Sequence, residues 1–164
     1  MTKNYWKGLL FGIACLTGMV AETGCKNGNV YEKAYTINGN GWRYRDTLNF
    51  GFDIRDTGEI YDIVLSIRHR TTYPLQNLYM NIYTAFPGGQ RIKQLLNIDL
   101  ADQTGKWNGK VSGGTCNFET AIQENAFFNA AGKHLITLEP FMRMDSLPGI
   151  EQVGLRVVDT GKRK

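Results

Sequence analysis

The chain is poor in the residues most enzymes use for chemistry. Its two histidines, His69 and His134, have no HxH or HExxH spacing beside them, so the local pattern supports no metal centre. Its three cysteines, Cys15, Cys25 and Cys116, form no CxxC motif and have no histidine close by, which removes the usual zinc and thiol-redox signatures. No serine stands in a GxSxG turn, and no glycine pair follows a strand and opens a helix as a phosphate cradle requires. Asp53 and Asp56, Asp99 and Asp102, and Glu119 and Glu124 are carboxylate pairs by proximity alone, a pattern too common in strands and turns to mark a glycosidase. The chain therefore reads as a non-enzyme with no cofactor, no metal site and no catalytic residue. Long apolar runs are missing as well. The main one, residues 9–20, falls short of the roughly 20 residues a membrane-spanning helix needs.

What that run does have is a setting. Lys3 and Lys7 precede it, and the small or polar residues Ala21, Thr23 and Gly24 lead out of it to Cys25. A positive start, a short apolar stretch and a small-residue exit describe an export signal. Cleavage directly before a cysteine resembles a bacterial lipoprotein signal, in which that cysteine carries a diacylglycerol thioether. Glu22 departs from the leucine such signals favour at that place. The expected organisation is a signal peptide over residues 1–24, the lipidated Cys25 with a short tether to residue 29, a folded domain over 30–161, and a basic tail at 162–164. Cys15 leaves with the signal and Cys25 is acylated, so Cys116 stands alone, with no disulfide and the character of a small buried apolar side chain.

Charge excludes one more class. The 19 basic and 15 acidic residues give a net +4 and a pI near 9.0, a balance that invites a nucleic-acid reading. Lys3, Lys7 and Glu22 belong to the signal, and Lys162, Arg163 and Lys164 form a solvated tail. The body between them is balanced, so it has no basic stripe for a phosphate backbone and no nucleic-acid partner is expected.

The body alternates. In residues 48–55 Leu48, Phe50, Phe52 and Ile54 fall on one face, with Asn49, Gly51, Asp53 and Arg55 on the other, the period-two pattern of a half-buried strand. Residues 61–70 place Tyr61, Ile63, Leu65 and Ile67 inward. Residues 78–86 place Leu78, Met80, Ile82 and Phe86 inward, with Tyr79, Asn81 and Tyr83 outward. Residues 91–100 place Leu96, Ile98 and Leu100 inward, and 150–158 place Val153, Leu155 and Val157 inward. An earlier strand covers residues 30–37. Residues 133–143 form a strand that Pro140 makes an edge or a bulged one. Residues 101–114 read as a loop around Trp107, and 118–128 as a helix or a strand with a turn. About seven or eight short strands with Gly- and Pro-marked turns point to an all-β antiparallel β-sandwich, of jelly-roll or immunoglobulin-like topology.

Aromatic residues suggest what such a sandwich does. Tyr79 and Tyr83 point away from the apolar face, and with Trp107 they are candidates for a protein interface or a sugar-stacking surface. A core role is the simpler reading of Trp42, and loop packing that of Trp107. His69, between Arg68 and Arg70, is expected to be neutral.

A set of residues in fixed order adds to this. Trp42, Asp46, Phe50, Ile54, Asp56, Tyr61 and Ile63 are followed by Arg68, Tyr73, Pro74, Asn77 and Leu78. Then come Asp102, Gly105, Trp107 and Gly109, and finally Met142, Arg143, Leu147, Gly149, Ile150, Val153, Gly154 and Leu155. Behind a lipoprotein signal, this pattern resembles the gliding-motility lipoprotein GldH family of the Bacteroidetes. The resemblance implies an outer-membrane lipoprotein, accessory to the gliding machinery and its associated secretion system, whose partners are the membrane and other envelope proteins. Lys26 is followed by Asn27, Gly28 and Asn29 rather than by acids, which favours the periplasmic leaflet. Arg68, Tyr73, Asn77 and Arg143 are the candidate partner-facing residues, with a structural hydrogen bond or ion pair across the sandwich as the alternative for Arg68 and Arg143. A carbohydrate-binding surface lipoprotein is the competing function.

Overall fold

The structure is a computed structural model that describes residues 28–39 and 41–164; the expected signal peptide over residues 1–24 and Cys25 lie outside the described residues. Among the described residues eleven strands follow one another: β1 (Asn29–Thr36), β2 (Trp42–Arg43), β3 (Leu48–Ile54), β4 (Glu59–Arg70), β5 (Asn77–Ala85), β6 (Arg91–Asp99), β7 (Lys110–Ser112), β8 (Thr115–Ala126), β9 (Gly132–Pro140), β10 (Ser146–Leu147) and β11 (Ile150–Arg163). All pairings are antiparallel, in a sheet of order β1-β11-β4-β8-β7, a sheet of order β3-β9-β5-β6, and a small β10-β2 ribbon. The chain is an all-β sandwich. Among the described residues no helix is long and apolar enough to cross a membrane.

Alternation places the core. β3 is buried at every second residue, Leu48, Phe50, Phe52 and Ile54, and β4 at Tyr61, Ile63, Leu65, Ile67 and also His69. Register then brings inward residues opposite one another: Leu155 pairs with Leu65, Val153 with Ile67, and Phe50 with Ile136. An aromatic cluster closes one end of the core. Phe52 stacks on His134 with ring centres 5.7 Å apart, and Phe128 packs edge-on against both Phe52 (5.8 Å) and His134 (4.7 Å). Such ring pairs each add about 0.5–1.5 kcal/mol beyond their buried area.

Four features differ from the alternation reading. Residues 118–128, ambiguous between helix and strand, are mostly the outer part of β8, a twelve-residue strand on β4. β9 is a central strand with no bulge, between β3 and β5. Pro140 is accommodated because it is the last residue of β9 and lies past Leu138, which pairs with the first residue of β3. The next amide, Phe141, donates to Tyr79 O on β5 (2.8 Å), so the nitrogen of Pro140 faces the other way, where β3 has not yet begun and there is no ladder bond to lose. Within the loop of 101–114, residues 110–112 form β7. The basic tail is not a loose end. β11 runs to Arg163, whose guanidinium lies 3.1 Å from Asp56 and 2.5 Å from the buried carboxylate of Glu59, while the Lys164 amide donates to Gly58 O.

Candidate interaction surface

Residues of the resemblance pattern that are distant in sequence meet at one end of the sandwich. His69 continues the inward phase of β4 past Ile67 and is completely buried. Its ring lies 4.5 Å from Trp107 and 5.7 Å from Tyr73. Nδ1 is 2.9 Å from Arg70 O, an acceptor, so Nδ1 carries the proton and Nε2 is left as a buried nitrogen without a hydrogen bond among the described residues. Burial pushes the His69 pKa down, so the ring is neutral as the sequence suggested. Trp107 thus packs its loop onto the core, and Trp42 is buried with Nε1 donating to Asp46 O at 2.8 Å. Asp102 organises that loop by accepting from the Thr104 amide (2.8 Å), the Thr104 hydroxyl (2.6 Å) and the Lys106 amide (3.0 Å). Gly109 passes so close to β8 that a Cβ there would sit 2.4 Å from Asn117 O and 2.7 Å from Cys116 Sγ. Cys116 is fully buried, and burial raises its thiol pKa, which leaves it an inert core side chain.

Tyr73 belongs to this core and not to the surface. It is only 4% exposed, and burial pushes its hydroxyl pKa up to about 12. The cause is the loop after β4: the Tyr73 amide donates to Arg70 O, the Thr71 amide to Gly114 O and the Leu100 amide to Gln76 O, which folds the ring under the loop. Asn77 is half-buried and its amide lies 3.4 Å from Asn97 on β6. Arg68 is exposed on the outer face of the five-stranded sheet. It shares the Glu151 carboxylate with Arg70, at 3.2 and 2.9 Å, so an ion pair between strands of one sheet accounts for it. Hydrogen bonds from Arg70 and then Arg68 hold the Glu151 pKa down. Solvent screens such a pair to about 1 kcal/mol or less.

The outer face of the other sheet is different. Tyr79, Asn81 and Tyr83 project from β5, and Glu139 from β9 accepts from Asn81 Nδ2 (3.1 Å) and the Tyr83 hydroxyl (2.8 Å). These contacts bury Asn81, which alternation alone places in solvent. Arg91 lies over the Tyr83 ring at 4.4 Å and Lys93 at 5.3 Å. Beside them Leu75, Tyr79, Leu95, Phe141, Met142, Arg143 and Met144 line a groove of about 440 Å³. Leu95, Phe141 and Met144 are exposed at 57, 47 and 37%. Two candidates, Tyr79 and Arg143, therefore come together here, and among the described residues no carboxylate is ion-paired to Arg143. Leu95 and Phe141 were not singled out from sequence, although Leu95 is out of phase with Leu96, Ile98 and Leu100 and so had to face outward. Trp107 is not with the tyrosines. Among the described residues no group of three His, Cys, Asp or Glu side chains converges on a metal position.

Comparison with known proteins agrees with the resemblance. A model of the GldH lipoprotein family matches residues 29–157. Over 146 residues the chain is 28% identical to a gliding motility lipoprotein GldH homolog of Christiangramia forsetii, covering 85% of this chain and 89% of the relative. Over 140 residues it is 22% identical to the gliding motility lipoprotein GldH of Flavobacterium johnsoniae, covering 81 and 86%. Among solved structures, the VP2 subviral particle of infectious bursal disease virus aligns at 15% identity with a TM-score of 0.35. That alignment takes in 81% of this chain but only 34% of the viral one, a likeness on which nothing rests. The family match begins with the first residue of β1 and reaches well into β11, taking in both sheets, and this chain belongs to the GldH lipoprotein family.

Proposed function

We propose that this protein is a lipoprotein anchored through Cys25, an accessory component of the gliding-motility and associated secretion machinery that acts by protein contacts and not by catalysis. The observation that carries the proposal is the family match across the whole sandwich, together with relatives that bear the name of gliding motility lipoproteins. The chain's own residues are consistent with it. Cys25 lies four residues before the first strand, a tether that spans at most about 14 Å when extended and holds the sandwich against the membrane. A triacylated cysteine anchors stably where a single chain is marginal. Lys26 without following acids favours the periplasmic leaflet of the outer membrane.

The surface also favours protein contact over sugar stacking. A sugar platform needs rings presented flat to solvent on one face. Trp107 is edge-on to His69 inside the loop end, Tyr83 is covered by Arg91, and Tyr79 is the wall of an apolar groove. An apolar groove with an aromatic wall and an arginine at its rim has the composition of a protein interface. The test is affinity retrieval of the full chain from detergent-solubilised envelopes of its own cells. Co-purification of components of the gliding or secretion apparatus supports the proposal. Retrieval of no envelope protein, or binding to a glycan array that is lost in Tyr79→Ala, overturns it.

A further inference from the structure

β6 ends its sheet, and its free side presents a pattern that matches itself. Even-numbered residues of β6 point their backbone groups at β5: Gln90 O accepts from Phe86 (2.9 Å), and the Leu100 amide donates to Gln76 O (2.8 Å). Alternation therefore turns the N–H and C=O groups of Arg91, Lys93, Leu95, Asn97 and Asp99 outward, in the plane of the sheet and away from β5. Their side chains stand on the same outer face as Tyr79 and Tyr83. If a second β6 lies antiparallel on this edge with its dyad at Leu95, Leu95 meets Leu95, Lys93 meets Asn97, and Arg91 meets Asp99 at both ends. The central position holds an apolar side chain 57% exposed in the single chain, and the flanking charges are of opposite sign. On the other face Ile92, 38% exposed, meets Ile98.

We propose that two copies of this chain associate through antiparallel pairing of their β6 strands about Leu95, joining two four-stranded sheets into one continuous sheet. The three inner pairs each exchange two backbone hydrogen bonds. The outermost pair contributes through side chains, because Asp99 O already accepts from Asn108 Nδ2 at 2.9 Å. Register is specified by charge: a parallel arrangement in register puts Arg91 against Arg91 and Lys93 against Lys93, and a two-residue slip opposes Lys93 to Asp99 but leaves each Leu95 against Asn97. Such an interface is isologous, and its dyad runs perpendicular to the sheet. Given the Cys25 anchor proposed above, both tethers then leave on the same side, from β1 of the five-stranded sheet, so one membrane leaflet serves both copies.

The experiment uses the full chain carrying Leu95→Cys in its own cells, treated with a short bis-maleimide and read on a denaturing gel. The parent chain, with its three native cysteines, sets the background. The expected result is a band at twice the monomer mass, absent in Val111→Cys, which places an exposed thiol on β7 at the edge of the other sheet. In the Leu95→Cys background, Arg91→Asp or Asp99→Arg alone should lower that band several-fold, and the double exchange should restore it. A Leu95→Cys chain that stays monomeric, or that links only to a protein of another size, overturns the proposal. So does an equal band from Val111→Cys, or a double exchange that recovers nothing. None of these readouts depends on motility or secretion.

Discussion

His69 makes the stability of the sandwich depend on pH in a direction the structure dictates. The ring is completely buried, gives its only described hydrogen bond from Nδ1 to Arg70 O, and has Trp107 and Tyr73 as aromatic neighbours. Protonating Nε2 would place a cation where no acceptor is present among the described residues, and burial pushes the pKa below its ordinary 6.5. The unfolded chain takes up that proton as pH falls through about 6.5, while the folded chain takes it up only at lower pH. The unfolded state therefore binds more protons, and stability rises with pH across this window and is lost below it. The loss between pH 7.5 and 5.5 for this one group is at most about 1.4 kcal/mol, the limit reached when the folded ring stays neutral throughout. Urea denaturation of the purified protein at the two pH values measures it, with His69→Gln as the comparison. The variant is less stable at both, because its packing changes, but its loss between pH 7.5 and 5.5 should be smaller than that of the parent, by up to that amount. Equal losses in parent and variant would refute the burial argument.

Three further outcomes follow from named contacts. Arg163→Ala removes hydrogen bonds to Asp56 and to the buried Glu59 carboxylate, and should lower the thermal midpoint. Gly109→Ala forces a Cβ into Asn117 O and Cys116 Sγ. It should cost about 1–3 kcal/mol and speed labelling of Cys116 by a thiol reagent, which is slow in the parent because the thiol is buried. Phe52→Ala empties the centre of the ring cluster with Tyr31, Phe128 and His134, and should cost about 3–5 kcal/mol in chemical denaturation.

Much of the fold could be read locally because period-two burial is a local property. β3, β4 and β11 show their inward residues in the order the sequence sets them. Residues 118–126 stayed ambiguous because the outer half of β8 covers little of the core: beyond Phe118 only Ile122 and Ala126 are partly buried against it, too few for either period to show. Tyr73, Asn81 and the tail were misplaced for a different reason. Each is positioned by a partner far away in sequence: Tyr73 by a loop pinned to Gly114 and Leu100, Asn81 by Glu139, and Arg163 by Asp56 and Glu59. The charge that made the tail look like a solvated end is what ties β11 to the turn before β4. At the groove, Tyr79 was legible as an outward aromatic, but its neighbours Phe141 and Met144 come from the segment after β9, and only the folded chain brings them together.

The central claim is that a β-sandwich of the GldH lipoprotein family is held at the membrane through Cys25. Mass spectrometry of the amino-terminal peptide of the chain extracted from its own membranes tests it most directly. The account predicts a peptide beginning at Cys25, with a diacylglycerol thioether and an acylated amine, and loss of the chain from the membrane fraction in Cys25→Ser. An unmodified amino terminus at Met1, cleavage away from Cys25, or a Cys25→Ser chain that remains acylated and membrane-bound would contradict it.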